Sequence, residues 1–192
     1  VDDATTPTSA GYHHGDLRRA LIAAGRELLA EHGPTGVSLR EVARAVGVSH
    51  NAPYRHFESR ETLLAAIATD GYDLLSQRMS ATGGDGRQKL IACGLAYVGF
   101  AVEFPSLYRL MFSSDIRKDA FPLLRAAADR AYALLEAAIP TGVSSPRVAA
   151  LGAWAVVHGL ADLLVGGQLS LDISLDNLIT EAIEAYANGL SG

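Results

Sequence analysis

Residues 38–57 read SLREVARAVGVSHNAPYRHF, and their spacing decides the fold. Ser38 and Glu41 stand as a capping box, in which each side chain can satisfy the other's backbone N–H. They open a short helix with Leu39, Val42, Ala43 and Val46 on its apolar face. Gly47 can adopt positive φ, so the chain turns tightly before Ser49 caps a second short helix, predicted to end near Phe57. Two short amphipathic helices about a tight turn make a helix-turn-helix, whose second helix sets its N-terminal part into the major groove of duplex DNA. Ala43 falls where the helices cross, and a larger side chain would part them. The exposed positions of the second helix are His50, Asn51, Ala52, Tyr54, Arg55 and His56. Asn can pair with adenine at two points, Arg with guanine or a phosphate, and Ala52 can touch a thymine methyl. The same spacing also fits an ordinary helical hairpin with a solvated face, and spacing alone leaves both readings open.

Outward from this segment, nearly every stretch carries a helical period ended by Gly, Pro or Ser. Residues 16–32 align Leu17, Leu21, Ala24 and Leu28 before Gly33 and Pro34. Ser59 caps a long helix with Leu63, Leu64, Ile67, Gly71, Leu74 and Leu75 in register, and the glycine-rich break at 82–86 follows it. Leu90, Cys93, Tyr97, Phe100 and Phe104 then recur at alternating three and four, with Ile91, Leu95, Val98 and Val102 on the other side. That helix is apolar nearly all round and belongs in the centre of a bundle. Pro105 starts a short helix through Met111 and Phe112, and further helices are predicted near 119–139, 146–168 and 175–188. Nothing alternates with period two. The expected fold is all-α, with about nine helices: an arm over 1–11, a three-helix helix-turn-helix domain over 12–58, and a helical bundle for ligand binding and dimerisation over 59–192.

The chain has 192 residues and a formal charge of −5, with 49% hydrophobic residues and one cysteine. The acidic sum conceals an asymmetry. Residues 10–60 hold seven Arg against five acids, with five of the six histidines, whereas 61–192 hold nine Lys or Arg against fourteen acids. The basic character is N-terminal, where DNA would lie. A single cysteine rules out an internal disulfide framework and a Cys-rich zinc module. Cys93 sits in an apolar stripe with no histidine at helical spacing, which predicts an inert buried thiol. There is no GxGxxG after a strand, P-loop, HExxH or GxSxG, so no catalytic residue and no cofactor is assigned. The adjacent His13 and His14 could approach a phosphate before the first helix, and neighbouring residues seldom chelate one metal ion. The polar N-terminal stretch VDDATTPTSAG lacks the pattern of a signal peptide, and a cytoplasmic protein is expected. The apolar run from Val148 to Val157 is interrupted by His158 and Asp162, which predicts a buried helix and no membrane partner.

From Tyr12 to Leu75 the chain also resembles the DNA-binding domain of the TetR/AcrR family of transcriptional regulators. The residues that carry the likeness are YHHGDLRRALIAAGRELLAEHG (12–33) and VSLREVARAVGVSHNAPYRHFESRETLL (37–64). The C-terminal part resembles the WHG-type ligand-binding domain of that family through SLYRLMF (106–112) and AWAVVHGLADLL (153–164), with Trp154, His158 and Gly159 its naming residues. The resemblance implies a homodimeric repressor that binds an inverted-repeat operator in double-stranded DNA and is released by a small molecule. Ser49, Asn51, Ala52, Tyr54 and His56 match the family's recognition helix and its phosphate contacts. Arg60 matches a position usually held by Lys that meets the DNA backbone, a task its guanidinium can serve. With Ser38, Arg40, His50 and Arg55 these complete the expected DNA-binding set. Pro53 departs from the aliphatic residue of many relatives, and proline in the first turn of a helix costs little.

Residues 149–167 present two apolar faces at 100° per residue. Gly152, Val156, Gly159, Leu163 and Gly166 form one, where glycines would let a second backbone approach. In the resembling family the last two helices of each chain form a four-helix dimer interface, to which Leu178, Ile179, Ala182, Ile183 and Tyr186 would add. Trp154 and His158 lie opposite and would look toward Tyr97, Phe100, Phe104, Met111, Phe112 and Tyr132. Those residues make a mostly apolar pocket for a small, mostly apolar effector, or simply fill a core. His158 has Asp162 one turn on as a structural partner. A second function class stays in view: a helical small-molecule carrier or protein-interaction module that keeps the helix-turn-helix shape without binding DNA. Preference for one duplex sequence separates the two.

Overall fold

The computed structural model describes residues 14–169 and 174–189, with side chains from Leu17. Eight α-helices follow in order: α1 His14–His32, α2 Leu39–Val46, α3 Arg60–Ser80, α4 Gly86–Glu103, α5 Pro105–Phe112, α6 Pro122–Glu136, α7 Pro146–Val165 and α8 Leu175–Gly189. Single 3-10 turns lie at Pro34–Gly36, Ala52–Arg55 and Lys118–Ala120, and no strand occurs among the described residues. The all-α class therefore holds. The arm over 1–11, with Tyr12 and His13, falls outside the described residues.

The N-terminal unit closes on the residues whose spacing marks them. Leu21, Leu29, Val37, Val42, Leu63 and Ile67 are fully buried where α1, α2 and the first half of α3 meet. Burial of such a side chain contributes about 1.5–3 kcal/mol. Gly25 lets α3 approach α1, since a Cβ there would stand 2.6 Å from Ile67 Cδ1. Arg26 Nη1 donates to Asp70 Oδ2 at 2.8 Å, tying α1 to α3.

The second half of α3 belongs to the other unit, where it packs on α4, α5 and α6. Central helix α4 lies against α3, α5, α7 and α8, as its nearly all-round apolar surface requires. Phe104 and Pro105 break the chain there, and α5 leaves α4 at 107°. Gly94 admits Ile183 of α8, whose Cδ1 lies 1.9 Å from where a Cβ would be built. Cys93 is buried, with its thiol toward Met79 O, as its apolar stripe predicts.

In its most apolar window α7 has mean hydropathy 1.8, enough by length and composition for a membrane span, and it is the one unbroken helix of that kind among the described residues. In this fold Ala149, Ala150, Ala153, Val157 and Ala161 form its buried side, and α7 packs between α4, α6 and α8.

Candidate nucleic-acid interface and effector pocket

The turn between α2 and α3 is ordered by local chemistry. Ser38 caps α2 by accepting from the Glu41 N–H at 3.1 Å. The reciprocal half of the expected capping box is replaced, because Arg44 Nε donates to the Glu41 carboxylate at 3.1 Å. Gly47 takes φ 76°, ψ 29°, and the N–H groups of Gly47 and Val48 donate to the carbonyls of Arg44 and Ala43 at 3.2 and 3.0 Å. This is a Schellman closure, which needs the left-handed conformation that glycine adopts without strain.

The second helix departs from expectation. Only Ala52–Arg55 is regular, as a single 3-10 turn, and this segment is the difference between about nine helices and eight. Pro53 explains it. Proline has no N–H to offer the Ser49 carbonyl, which accepts instead from Ala52 N at 2.9 Å in the tighter i→i+3 pattern. Pro53 and Phe57 are buried beneath the turn, and the Arg18 guanidinium of α1 lies 5.3 Å from the centre of the Phe57 ring. Two apolar residues thus peg the turn to the domain.

Above those pegs, Ser49, His50, Asn51, Tyr54 and Arg55 are exposed with Arg40, while Ser38, Ala52 and His56 are half-buried. Tyr54 keeps 51% of its surface open, unusual for a large aromatic residue. Most of the expected reading residues are therefore open to solvent. Arg60 is engaged otherwise: its Nε donates to Val37 O at 2.8 Å and its Nη2 to Pro34 O, so the guanidinium already satisfies two carbonyls of the loop before α2.

In the second unit a cavity of about 500 Å³ opens between α3, α4, α6 and α7. Of the residues named for a pocket, Tyr97, Phe112, Tyr132 and Trp154 line it. Phe100, Phe104 and Met111 do not. Phe100 and Met111 are fully buried core residues, and Phe104 instead borders a small crevice between α1 and the α4–α5 corner. Met111 Sδ lies 2.7 Å from where a Cβ on Gly71 would be built, which fixes its place on α3. The sequence reading omits Tyr72, Lys118, Arg125 and Arg147, all in the cavity wall. Tyr72 carries a hydroxyl on the apolar stripe of α3, the one sequence signal available; the three cations lie in polar contexts that read as surface.

His158 stands behind this wall in a polar cluster. Tyr97 Oη and Tyr108 Oη lie 2.8 and 2.9 Å from its Nδ1, Tyr108 Oη donates to Asp162 Oδ1 at 2.8 Å, and Trp154 Nε1 donates to Tyr97 Oη at 3.3 Å. Each hydroxyl has one proton. One arrangement that gives every proton an acceptor has Trp154 donating to Tyr97, Tyr97 to a bare Nδ1, and Tyr108 to Asp162. The imidazole is then neutral, with its proton on Nε2, facing Asp162 Oδ2 at 3.8 Å. Burial lowers the His158 pKa, with Lys118 acting in the same direction and Asp162 against it. Burial also raises both tyrosine pKa values, keeping them protonated. The expected His158–Asp162 pair is thus looser than the bonds to the two tyrosines.

The expected dimer residues divide. Ile179 and Ile183 are 1% and 3% exposed within one chain, so neither offers surface to a partner. Tyr186 turns inward and donates to Ala149 O at 2.8 Å, with its ring against Gly152. Val156 borders the same α7–α8 seam. Gly159, Leu163 and Gly166 do face outward, and Leu178 and Ala182 are half-buried. The i, i+4 stripe on α8 was correctly apolar, but this chain's own α4 and α7 cover it.

Comparisons with known proteins agree with this architecture. Residues 21–67 match the family model for bacterial regulatory proteins of the tetR family, and residues 90–186 match the tetracyclin repressor-like C-terminal domain. The HTH-type transcriptional regulator Rv1816 of Mycobacterium tuberculosis is 30% identical over 105 residues, which are 52% of this chain and 45% of that protein, less than half its length. The HTH-type transcriptional repressor AcnR of Corynebacterium glutamicum is 29% identical over 75 residues, 39% of this chain and 40% of that one. A solved protein of unknown function from Rhodococcus sp. RHA1 superposes with a TM-score of 0.83 at 32% identity, covering 96% of this chain and 100% of that one. With the N-terminal regulatory domain and the C-terminal domain both matched in place, the chain belongs to the TetR family of transcriptional regulators.

Proposed function

We propose that the protein is a ligand-responsive repressor that binds an inverted-repeat operator as a homodimer and is released when a small molecule occupies the cavity of about 500 Å³. The observation that carries this reading is the join between the cavity and the DNA-binding unit. Helix α5 turns Phe112 into the cavity wall and Tyr108 toward His158, while Leu107 and Met111 on its other side pack against Gly71 of α3. Helix α1 also packs on α5. A ligand that prefers one setting of α5 therefore biases the seating of α1 and α3, which hold the recognition turn. Such control needs unequal affinity for two conformations, with coupling typically of ~1–3 kcal/mol.

Asn51 and Arg55 read base edges in this scheme, Arg40, Ser38, Ser49, His50, Tyr54 and His56 add groove and phosphate contacts, and Ala52 meets a methyl group. The partner subunit seats on the outward face of α7, where Ala155, Gly159, Leu163 and Gly166 align and leave room for a second helix. A repressor role agrees with the name of the relative AcnR, and a cytoplasmic site of action follows from the task. Selection of the purified protein on random duplex DNA tests the reading. Enrichment of an inverted repeat, by a species that sediments as a dimer, is the expected result. No enrichment from folded dimer at low salt would overturn it and favour a helical carrier or interaction module.

A further inference from the structure

Two cations in the cavity wall have no anionic partner among the described residues. Lys118 is half-buried, donates to Tyr72 Oη at 2.7 Å, and lies 5.1 and 5.0 Å from the ring centres of Tyr72 and Phe112. It forms no ion pair among the described residues. The side chain of Arg147, at the start of α7, makes neither hydrogen bond nor ion pair with another described residue. By contrast, Arg125 in the same wall is bound to both Asp119 and Asp129, at 2.8 and 3.1 Å. Asp129, the one acid of the lining, is thereby taken. The remaining wall is aromatic and aliphatic: Leu75, Met79, Tyr97, Tyr132, Leu135 and Trp154.

A half-buried ammonium held only by a phenol and two ring faces is incompletely compensated. Water or a ligand anion must supply the rest. Desolvation lowers the Lys118 pKa, and Arg125 acts in the same direction, so the site favours an added negative charge. Apolar walls around one such cation select a molecule with an apolar body and a single acidic head.

We propose that the effector is an amphipathic carboxylate, its head paired with the Lys118 ammonium and its apolar body against Tyr97, Tyr132 and Trp154, with Arg147 drawing the anion in at the rim. This rests on the reading of the cavity as the effector site. It narrows the effector from a mostly apolar molecule to a singly charged acid.

Trp154 is the only tryptophan in the chain and lines the cavity, so its fluorescence reports occupancy directly. Decanoate and cyclohexanebutyrate, each against its own primary amide, are titrated into the full chain with calorimetry alongside. Each acid should bind about tenfold or more tightly than its amide, the usual gain of a charge-assisted bond over a neutral one. Lys118→Met should abolish that preference while leaving amide affinity within about twofold, and Lys118→Arg should retain it. Equal affinity for acid and amide, or a preference that survives Lys118→Met, would overturn the proposal. Amides that bind where acids do not would overturn it while leaving the cavity as the effector site. Failure of all four compounds to bind would remove both. If Lys118→Met does not fold, the wild-type ratio of acid to amide and its retention in Lys118→Arg still decide.

Discussion

The recognition turn and the tyrosine–histidine cluster place opposite demands on their side chains. The turn at 49–57 leaves Ser49, His50, Asn51, Tyr54 and Arg55 in solvent, half-buries Ala52 and His56, and fully buries only Pro53 and Phe57. The cluster keeps Tyr97 and Tyr108 buried and completes a polar chain through His158 and Asp162. In the turn, stability and recognition belong to different residues, so each can change without the other. In the cluster they are the same atoms, so a change in the cavity wall reaches the packing of α5. This division suits the proposed roles, a surface that reads a partner and an interior that responds to one.

The largest effect should separate peg from reader within the turn. Phe57→Ala removes a fully buried ring and should cost about 3–5 kcal/mol of unfolding free energy in urea melts. Tyr54→Ala, from a half-exposed position, should shift stability by less than about 0.5 kcal/mol while weakening operator binding. Equal destabilisation by the two would mean that the turn has no division of labour.

Next in size is base reading against backbone contact. Asn51→Ala should lower operator affinity by about 1–3 kcal/mol and relax specificity at one position. Uniform loss on every duplex would reassign Asn51 to the phosphates. Arg60 sharpens the contrast, since its guanidinium already holds Val37 O and Pro34 O. Arg60→Met should lower the melting temperature as well as the salt slope of binding. An altered melting temperature with an unchanged slope would make it purely structural.

In the cluster, Tyr108→Phe leaves the ring and deletes the hydroxyl that donates to Asp162 Oδ1, while Tyr97 still serves His158 Nδ1. A cost of about 0.5–1.5 kcal/mol is expected, the net worth of one hydrogen bond, because the Asp162 side chain is largely exposed and its freed oxygen regains water. A neutral result in urea melts would show that the cluster is hydrated.

These contrasts also mark what the sequence made legible. The turn was readable because its determinants are neighbours: a Ser cap, a glycine at the αL position, and apolar residues three and four apart. Its one misreading, a full second helix, came from treating Pro53 as harmless at a first turn when the missing N–H instead holds the segment in the 3-10 pattern. The cavity was half readable. Tyr97 and Phe100 sit three residues apart on one helix, yet Tyr97 faces the cavity and Phe100 the core, since periodicity gives the angle within a helix and not the angle between helices. Lys118 and Arg147 fell outside any period, and Ile179 and Ile183 read as a free stripe because nothing local reveals that α4 and α7 cover them.

The smallest effect concerns protons. Burial lowers the pKa of His158 below the 6.5 of a free imidazole. Between that lowered value and 6.5 the unfolded chain binds the proton more readily than the folded one, so stability rises with pH across the window. The contribution is fully present above the unfolded pKa and is lost as pH falls from there through the lowered folded value. Protonating Nδ1 would also turn the acceptor of the Tyr97 hydroxyl into a donor, leaving that hydroxyl to seek another partner. Asp162, whose charge favours the imidazolium, limits the loss; Lys118 enlarges it. Urea midpoints measured from about pH 5 to 8, which brackets the free imidazole value, should fall on the acid side for the wild type and less steeply for His158→Gln. Parallel curves would place the acid sensitivity in another group and leave the imidazole in contact with water. A shallower slope in the variant would tie the proton to the same cluster that carries the cavity wall.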